Sequence, residues 1–147
     1  MDSSLVYLVQ TDTTVGFSSS DDEKLSFVKQ RPRSKKILHT VDSFKTLKKY
    51  TRVPKKFRKQ VRKSSLTTFI YPNQKSFRVI NKDKSFYDFI HKFGILYSTS
   101  ANKTAKNFEY DFASKHSDII VENKNGFFES SASRIIKINK SRKKLIR

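Results

Sequence analysis

The chain of 147 residues has no cysteine. Disulfides and thiolate metal sites are therefore excluded, and a reduced, cytoplasmic setting is the simplest expectation. Glycine is scarce, at three residues. There is no GxxxxGK(S/T) cradle for a triphosphate and no GxGxxG dinucleotide fingerprint. A G-x-S-x-G elbow is absent too, so neither serine nor cysteine nucleophile motifs are present. His39, His91 and His116 lack metal-ligand spacing, and His91, on a phenylalanine-rich stretch, reads as solvent-facing. Long apolar runs are missing: none approaches the roughly 18 residues that span a bilayer. The opening "MDSSLVYLVQ" lacks the basic and apolar regions expected of a signal peptide. Acids are few, at 13 against 32 Lys and Arg.

That imbalance gives a net charge of +19. A field of this size attracts polyanions: nucleic acid, nucleotide phosphates or an anionic membrane. The plainer alternative is a lysine-rich surface without a partner. Uneven distribution weighs against it. Lys29 to Lys63 holds 15 basic residues and one acid, Asp42, and Lys137 to Arg147 holds six basic residues and none.

The length fits one domain with a real core. "SLVYLVQ" (Ser4 to Gln10) reads as a buried strand and "TDTTVGF" as the loop after it. Ser20 and Glu23 have capping-box spacing for a helix that stops near Arg31, ahead of Pro32. "DSFKTLKKY" reads as a short helix capped by Asp42 or Ser43. Pro54 opens another, with Phe57 and Val61 inward. "LTTFIY" and "SFRVI" are strands around a turn at Pro72 and Asn73. Ser85 caps and Gly94 ends a helix with the stripe Phe86, Phe89, Ile90 and Phe93. "GILYST" is a strand, "FEYDFASKH" a helix, and "DIIVE" and "SRIIKI" a closing strand pair around "NKNG". The alternation predicts a single-domain α/β fold: a mixed sheet with helices packed on it. The phenylalanines fit core periodicity better than base stacking. Ligands on such sheets bind beyond strand C-termini, here after "YLVQ" and "ILYS".

Three polar clusters stand out: "QTDTTVG" at 10–16, "KQRP" at 29–32 and "SAN" at 100–102. Lysine offers a point charge, arginine a planar fork, and serine and asparagine short donors. Together they suit phosphate oxygens without a glycine-rich loop. Each is weak alone.

In order and together, they resemble the YrdC family, whose pattern is P-T-(D/E)-T-x-x-G after the first strand, then K-x-R-P, then S-x-N. "LTTFI", "SFRVIN" and "SASRIIKI" resemble further family strands, so the similarity runs from Leu5 to about Ile138. The resemblance implies a short, diverged bacterial member with a twisted mixed sheet and a basic concave face. The YrdC-like domain would cover 1–138 and a basic tail 139–147. It also implies an L-threonylcarbamoyladenylate synthase, a nucleotidyltransferase that joins L-threonine, bicarbonate and ATP and releases pyrophosphate, with Mg²⁺ as supporting ion. The product would pass to a tRNA threonylcarbamoyl transferase complex for tRNA modification. Lys29, Arg31, Ser100 and Asn102 match the catalytic tetrad. Lys35 and Ser98 join them on ATP, while Thr11, Arg78 and Ser133 match threonine-side positions. No protein metal ligand is implied. Read without the resemblance, Thr11 is a turn hydroxyl and Ser133 a strand start.

Departures are plain. Gln10 replaces the motif proline and Val15 a tyrosine. "RKSS" (Arg62 to Ser65) stands for W-P-G-P, and Thr104 and Ala105 for S-G. An alternative reading is a non-catalytic protein on the same fold that binds tRNA or double-stranded RNA through its charge.

Overall fold

A computed structural model describes residues 1–32 and 34–147. In chain order the first half holds β1 (Tyr7–Gln10), β2 (Val15–Ser19), α1 (Asp22–Lys29), β3 (Leu38–Val41), α2 (Phe44–Tyr50), a 3-10 turn (Lys55–Phe57) and α3 (Arg58–Lys63). There follow β4 (Thr67–Ile70), β5 (Ser76–Val79), α4 (Phe86–His91), β6 (Ile95–Ser100), α5 (Tyr110–Lys115), β7 (Ile119–Ile120), β8 (Arg134–Ile138) and β9 (Lys143–Leu145). With nine strands and five α-helices among the described residues, the fold is α/β, as the alternation predicts. None of these helices is long and apolar enough to cross a membrane. The chain forms two compact units, Met1–Ile37 with Leu96–Ala132, and Leu38–Ile95 with Ser133–Arg147.

In the first unit the strand order is β7-β1-β2-β6. β1 and β2 make a hairpin with Gln10 opposite Val15, β2 continues antiparallel to β6, and β7 adds parallel to β1. Strand side chains alternate between faces. One face buries Leu8, Val15 and Phe17 against Leu25 of α1 and Ala113 of α5. The other face carries Gly16, Ser18, Ser98 and Ser100, with Gly16 opposite Ser100 and Ser18 opposite Ser98.

The second unit has the order β3-β5-β4-β8-β9. β3–β5 and β4–β8 are parallel, while β4–β5 and β8–β9 are antiparallel. Its core joins Phe69, Phe77, Ile136 and Ile138 to Leu47, Phe57 and Val61 of the overlying helical segments.

Several expectations are corrected. The stretch Thr11–Phe17 is not all loop: only Thr11–Thr14 turns, because Val15 and Phe17 alternate into the core as β2. Helix α1 is capped by Asp21, not by Ser20 with Glu23. The Asp21 carboxylate accepts from the Glu23 and Lys24 amides at 3.1 and 3.2 Å, and Ser20 is engaged with Ser3. A carboxylate at a helix N-terminus is the stronger acceptor. Of the two caps considered for α2, Ser43 holds the position, accepting from the Thr46 amide. Ser85 makes no side-chain cap for α4. "DIIVE" and "SRIIKI" do not pair with each other. Ile136 and Ile138 are claimed by the second unit's core, while Ile119 and Ile120 extend β1 in the first. His91 is mostly exposed, as expected, and bonds Asp42 at 2.9 Å.

Gly16 lies where a side chain has no room. A Cβ there would sit 2.9 Å from the Thr99 carbonyl oxygen and 3.1 Å from Thr11 Cγ2. Replacement Gly16→Ala is expected to destabilise the protein by about 1–3 kcal/mol through overpacking of the hairpin. Urea denaturation reads this directly, and an unchanged midpoint would contradict the close β2–β6 approach.

Candidate functional site

Helix α1 ends on Lys29 because Gln30 takes the left-handed conformation, φ 51°. Its amide donates to the Phe27 carbonyl at 3.0 Å, and the Arg31 amide donates to Ser26 at 2.8 Å. This reversal leaves the Lys29 side chain free to run toward the end of β6. There its ammonium donates to the Ser100 carbonyl at 3.0 Å and to Asn102 Oδ1 at 2.9 Å. The Asn102 carbonyl and, at 3.4 Å, the Ser100 hydroxyl are also within reach. Three N–H donors thus meet four oxygens on two residues.

The surrounding loop is pinned as well. Asn102 Nδ2 donates to the Lys106 carbonyl, Asn102 bridges Phe108, and Thr104 Oγ1 donates to the Lys29 carbonyl at 2.9 Å. Ala105 stands at φ 62°, the left-handed region that glycine adopts without strain. That geometry accounts for glycine in the family pattern at this point. Lys29, Gln30 and Arg31 border a cleft of about 1250 Å³, with Phe27, Lys103 and Lys106 on its lining.

Lys29 is only 7 % exposed. Burial, followed by the neighbouring charge of Arg31, lowers its pKa from 10.5 to about 8. Burial also lowers that of the half-buried Arg31. Both cations are therefore poorly hydrated and gain from an incoming anion. Lys35 lies in an exposed turn, its amide on the Pro32 carbonyl at 2.9 Å. Arg33 lies outside the described residues. Ser98 is buried on β6, two residues before Ser100 on the same face.

Thr11, Arg78 and Ser133 make no contact with the Lys29 ammonium, although Thr11 Cγ2 and Ser98 Oγ both flank Gly16. Thr11 is buried in the β1–β2 turn, where its hydroxyl donates to the Thr14 carbonyl at 2.6 Å and accepts from the Thr13 amide. Arg78 and Ser133 belong to the second unit. Arg78, 4 % exposed, stands in register with Thr40 and Thr68. The Thr68 hydroxyl lies 2.7 Å from Ser133 Oγ. Thr40, Thr68, Arg78 and Ser133 are thus one buried polar group.

Thr68 and Gln10 were not singled out as functional by the sequence. Gln10 Oε1 accepts from the Phe128 amide at 3.0 Å, yet its Nε2 is buried without a partner. Its place beside "TDT", where the family pattern has proline, was the available signal. Among the described residues no group of three His, Asp or Glu side chains could hold a metal ion.

Two outcomes are expected. Because its pKa is depressed, charging Lys29 opposes folding. That cost is fully present below about pH 8 and fades as pH rises toward 10.5. The Cε resonance of Lys29, assigned by its loss in Lys29→Met, should titrate near 8 and move upward on adding a triphosphate. A midpoint at 10.5 would refute the desolvated cluster. Replacement Ala105→Gly should stabilise the protein by up to about 1 kcal/mol, seen as a higher thermal midpoint. A lower midpoint would contradict the strained loop.

No protein-family model and no curated protein sequence matches the chain. Solved structures do. Pyrococcus abyssi Sua5 in complex with L-threonine superposes with a TM-score of 0.80 at 13 % identity, over 98 % of this chain and 50 % of that one. Escherichia coli YciO gives 0.76 at 16 % identity, over 98 % of this chain and 82 % of that chain. The MTH1692 protein of Methanobacterium thermoautotrophicum gives 0.71 at 16 % identity, over 98 % and 80 %. The chain spans about half the length of the Sua5 it matches. It has the α/β fold of these YrdC/Sua5 proteins.

Proposed function

We propose that the chain is a nucleotidyltransferase of the YrdC/Sua5 kind, an L-threonylcarbamoyladenylate synthase. The observation that carries this reading is the Lys29 cluster. Residues separated by 71 and 73 positions meet through one ammonium, and they are three of the four that the family pattern assigns to the reaction. Arg31, the fourth, follows immediately on the helix-ending turn. A fold shared with a protein crystallised with L-threonine supports the amino-acid half of the reading.

The chemistry needs no covalent enzyme intermediate. The threonine amine adds to carbon dioxide derived from bicarbonate and loses a proton, giving a carbamate. A carbamate oxygen bonds to the α-phosphorus of ATP, the bond to the β-phosphate oxygen breaks, and pyrophosphate leaves. Charge accumulates on phosphate oxygens, where poorly hydrated cations act most strongly. Lys29, Arg31 and Lys35 are assigned to that role, with Ser98, Ser100 and Asn102 orienting the nucleotide. Magnesium would arrive on the triphosphate. Arg78, with Thr68 and Ser133 beside it, suits a carboxylate, and Thr11 is assigned to the threonine side chain.

A second reading, a non-catalytic RNA-binding protein on this fold, draws on the +19 charge. One assay separates them. Purified protein with ATP, labelled bicarbonate and L-threonine should give threonine-dependent pyrophosphate and a labelled adenylate. Lys29→Ala and Arg31→Ala should each lower the rate at least about 100-fold, as loss of a preorganised charge contact does. Arg78→Ala should chiefly raise the threonine concentration required. Absence of product from the unsubstituted protein would sink the synthase reading.

A further inference from the structure

Segment 127–130, between β7 and β8 in the first unit, is tied to two distant parts of the candidate site. One tie is to the β1–β2 turn. The Phe128 amide donates to Gln10 Oε1 at 3.0 Å. The Val15 amide donates to the Phe128 carbonyl at 3.3 Å, and the Ser130 amide donates to Thr14 Oγ1 at 3.2 Å. The Thr14 carbonyl in turn accepts from the Thr11 hydroxyl. The other tie leads to Lys29. The Phe108 amide donates to Glu129 Oε1. Phe108 bridges Asn102, whose Oδ1 accepts from the Lys29 ammonium. Phe127 anchors the segment between these ties. It packs on the core under β1 and β2 and stacks on Tyr110, with ring centroids 6.4 Å apart.

Gln10 shows what the first tie is for. It is 6 % exposed, and its Nε2 is buried without a partner. An unpaired buried N–H is costly, and an apolar side chain of similar size would avoid that cost. What glutamine supplies at this place is the acceptor for the Phe128 amide. Proline, which the resembled pattern has here, offers no such side-chain oxygen. The unit holds ten Lys and Arg against ten Asp and Glu. With no net charge to link the two ends, contacts have to do so.

We propose that segment 127–130 is a strap coupling the phosphate end of the site, at Lys29 and Asn102, to the amino-acid end, at Thr11. Gln10 and Glu129 are its positioning residues. The identity of the two ligands, ATP and L-threonine, rests on the synthase reading. A nucleotide that orders Lys29 and Asn102 also orders Phe108, Glu129 and the strap. The strap then fixes the Thr14–Val15 backbone, and Thr11 with it. This ordering occurs once, so the second ligand meets a site already arranged. Each ligand then strengthens the other by the same factor.

The test is calorimetric titration of the full chain with ATP, with and without saturating L-threonine, and the converse titration. Bicarbonate is omitted so that no adenylate forms. Each ligand should tighten the other at least about 5-fold. Glu129→Ala, at an exposed position, and Gln10→Met should each bring that factor close to one. Glu129→Gln keeps an acceptor oxygen and should restore it. A merely structural role would lower both affinities and leave the factor unchanged, and that result would overturn the proposal. Amide exchange in the ligand-free protein gives a second readout. Gln10→Met should speed exchange at Phe108 as well as at Phe128, because release of the strap frees both. Faster exchange confined to Phe128 would overturn the strap even where both ligands bind. Failure of both ligands to bind would instead overturn the synthase reading, while exchange at Phe108 still decides the strap.

Discussion

The Lys29 ammonium, closed in by oxygens of Ser100 and Asn102, is the contact on which the candidate site depends. Burying a cation is costly unless its protons are satisfied. Here they are, and the contact fixes two chain ends together: the last turn of α1 and the end of β6. A cation in the last turn also faces the negative end of the helix. The downstream loop follows from the same point. Thr104 returns to the Lys29 carbonyl, and Asn102 spans to Lys106. Ala105 then takes the left-handed conformation needed to finish the turn.

Charge and chemistry are separated along the chain. Lys29 is not one basic residue among many in a positive field, because its own unit is neutral. What distinguishes Lys29 is burial and the adjacent Arg31, which together weaken its hold on a proton. A surface lysine gains little from a single anion because water already solvates it. A desolvated lysine gains more. The exposed lysines of the other unit differ, contributing to the field through number and at long range.

Much of this was legible in the sequence because it rests on local patterns. Apolar alternation marked β1, β4, β5 and β8, and the Phe86, Phe89 and Ile90 stripe marked α4. What failed has common physical causes. The β1–β2 hairpin was hidden because Val15 and Phe17 follow a run of threonines that reads as loop. β7 and β8 look like a hairpin on either side of "NKNG", but their pairing is decided by which core buries their isoleucines. β9 lies in a run of lysines, where composition says solvent and only the neighbouring strand says sheet. At the site, residue types were readable while distances were not. Only the fold brings Lys29 to Asn102, and only strand register reveals that Thr68 lies between Arg78 and Ser133.

At 13–16 % identity to its structural neighbours, the chain shares their fold while departing from the pattern it resembles at Gln10, at Arg62 to Ser65 and at Ala105. The nature of the Lys29 contacts explains how the loop can hold its shape without those residues. Two of the four oxygens around the ammonium are main-chain carbonyls, of Ser100 and Asn102. Their positions are set by the path of the backbone, whatever the side chains beside them. That path is held in turn by β2–β6 pairing, which needs a small residue at Gly16 because the Thr99 carbonyl lies so close. The sequence is therefore constrained hardest at few points: a lysine long enough to reach, an asparagine that can both accept from it and donate onward, and a glycine under the strand. Those three are present, and where the resembled pattern has serine a hydroxyl is kept, Thr104 donating to the Lys29 carbonyl.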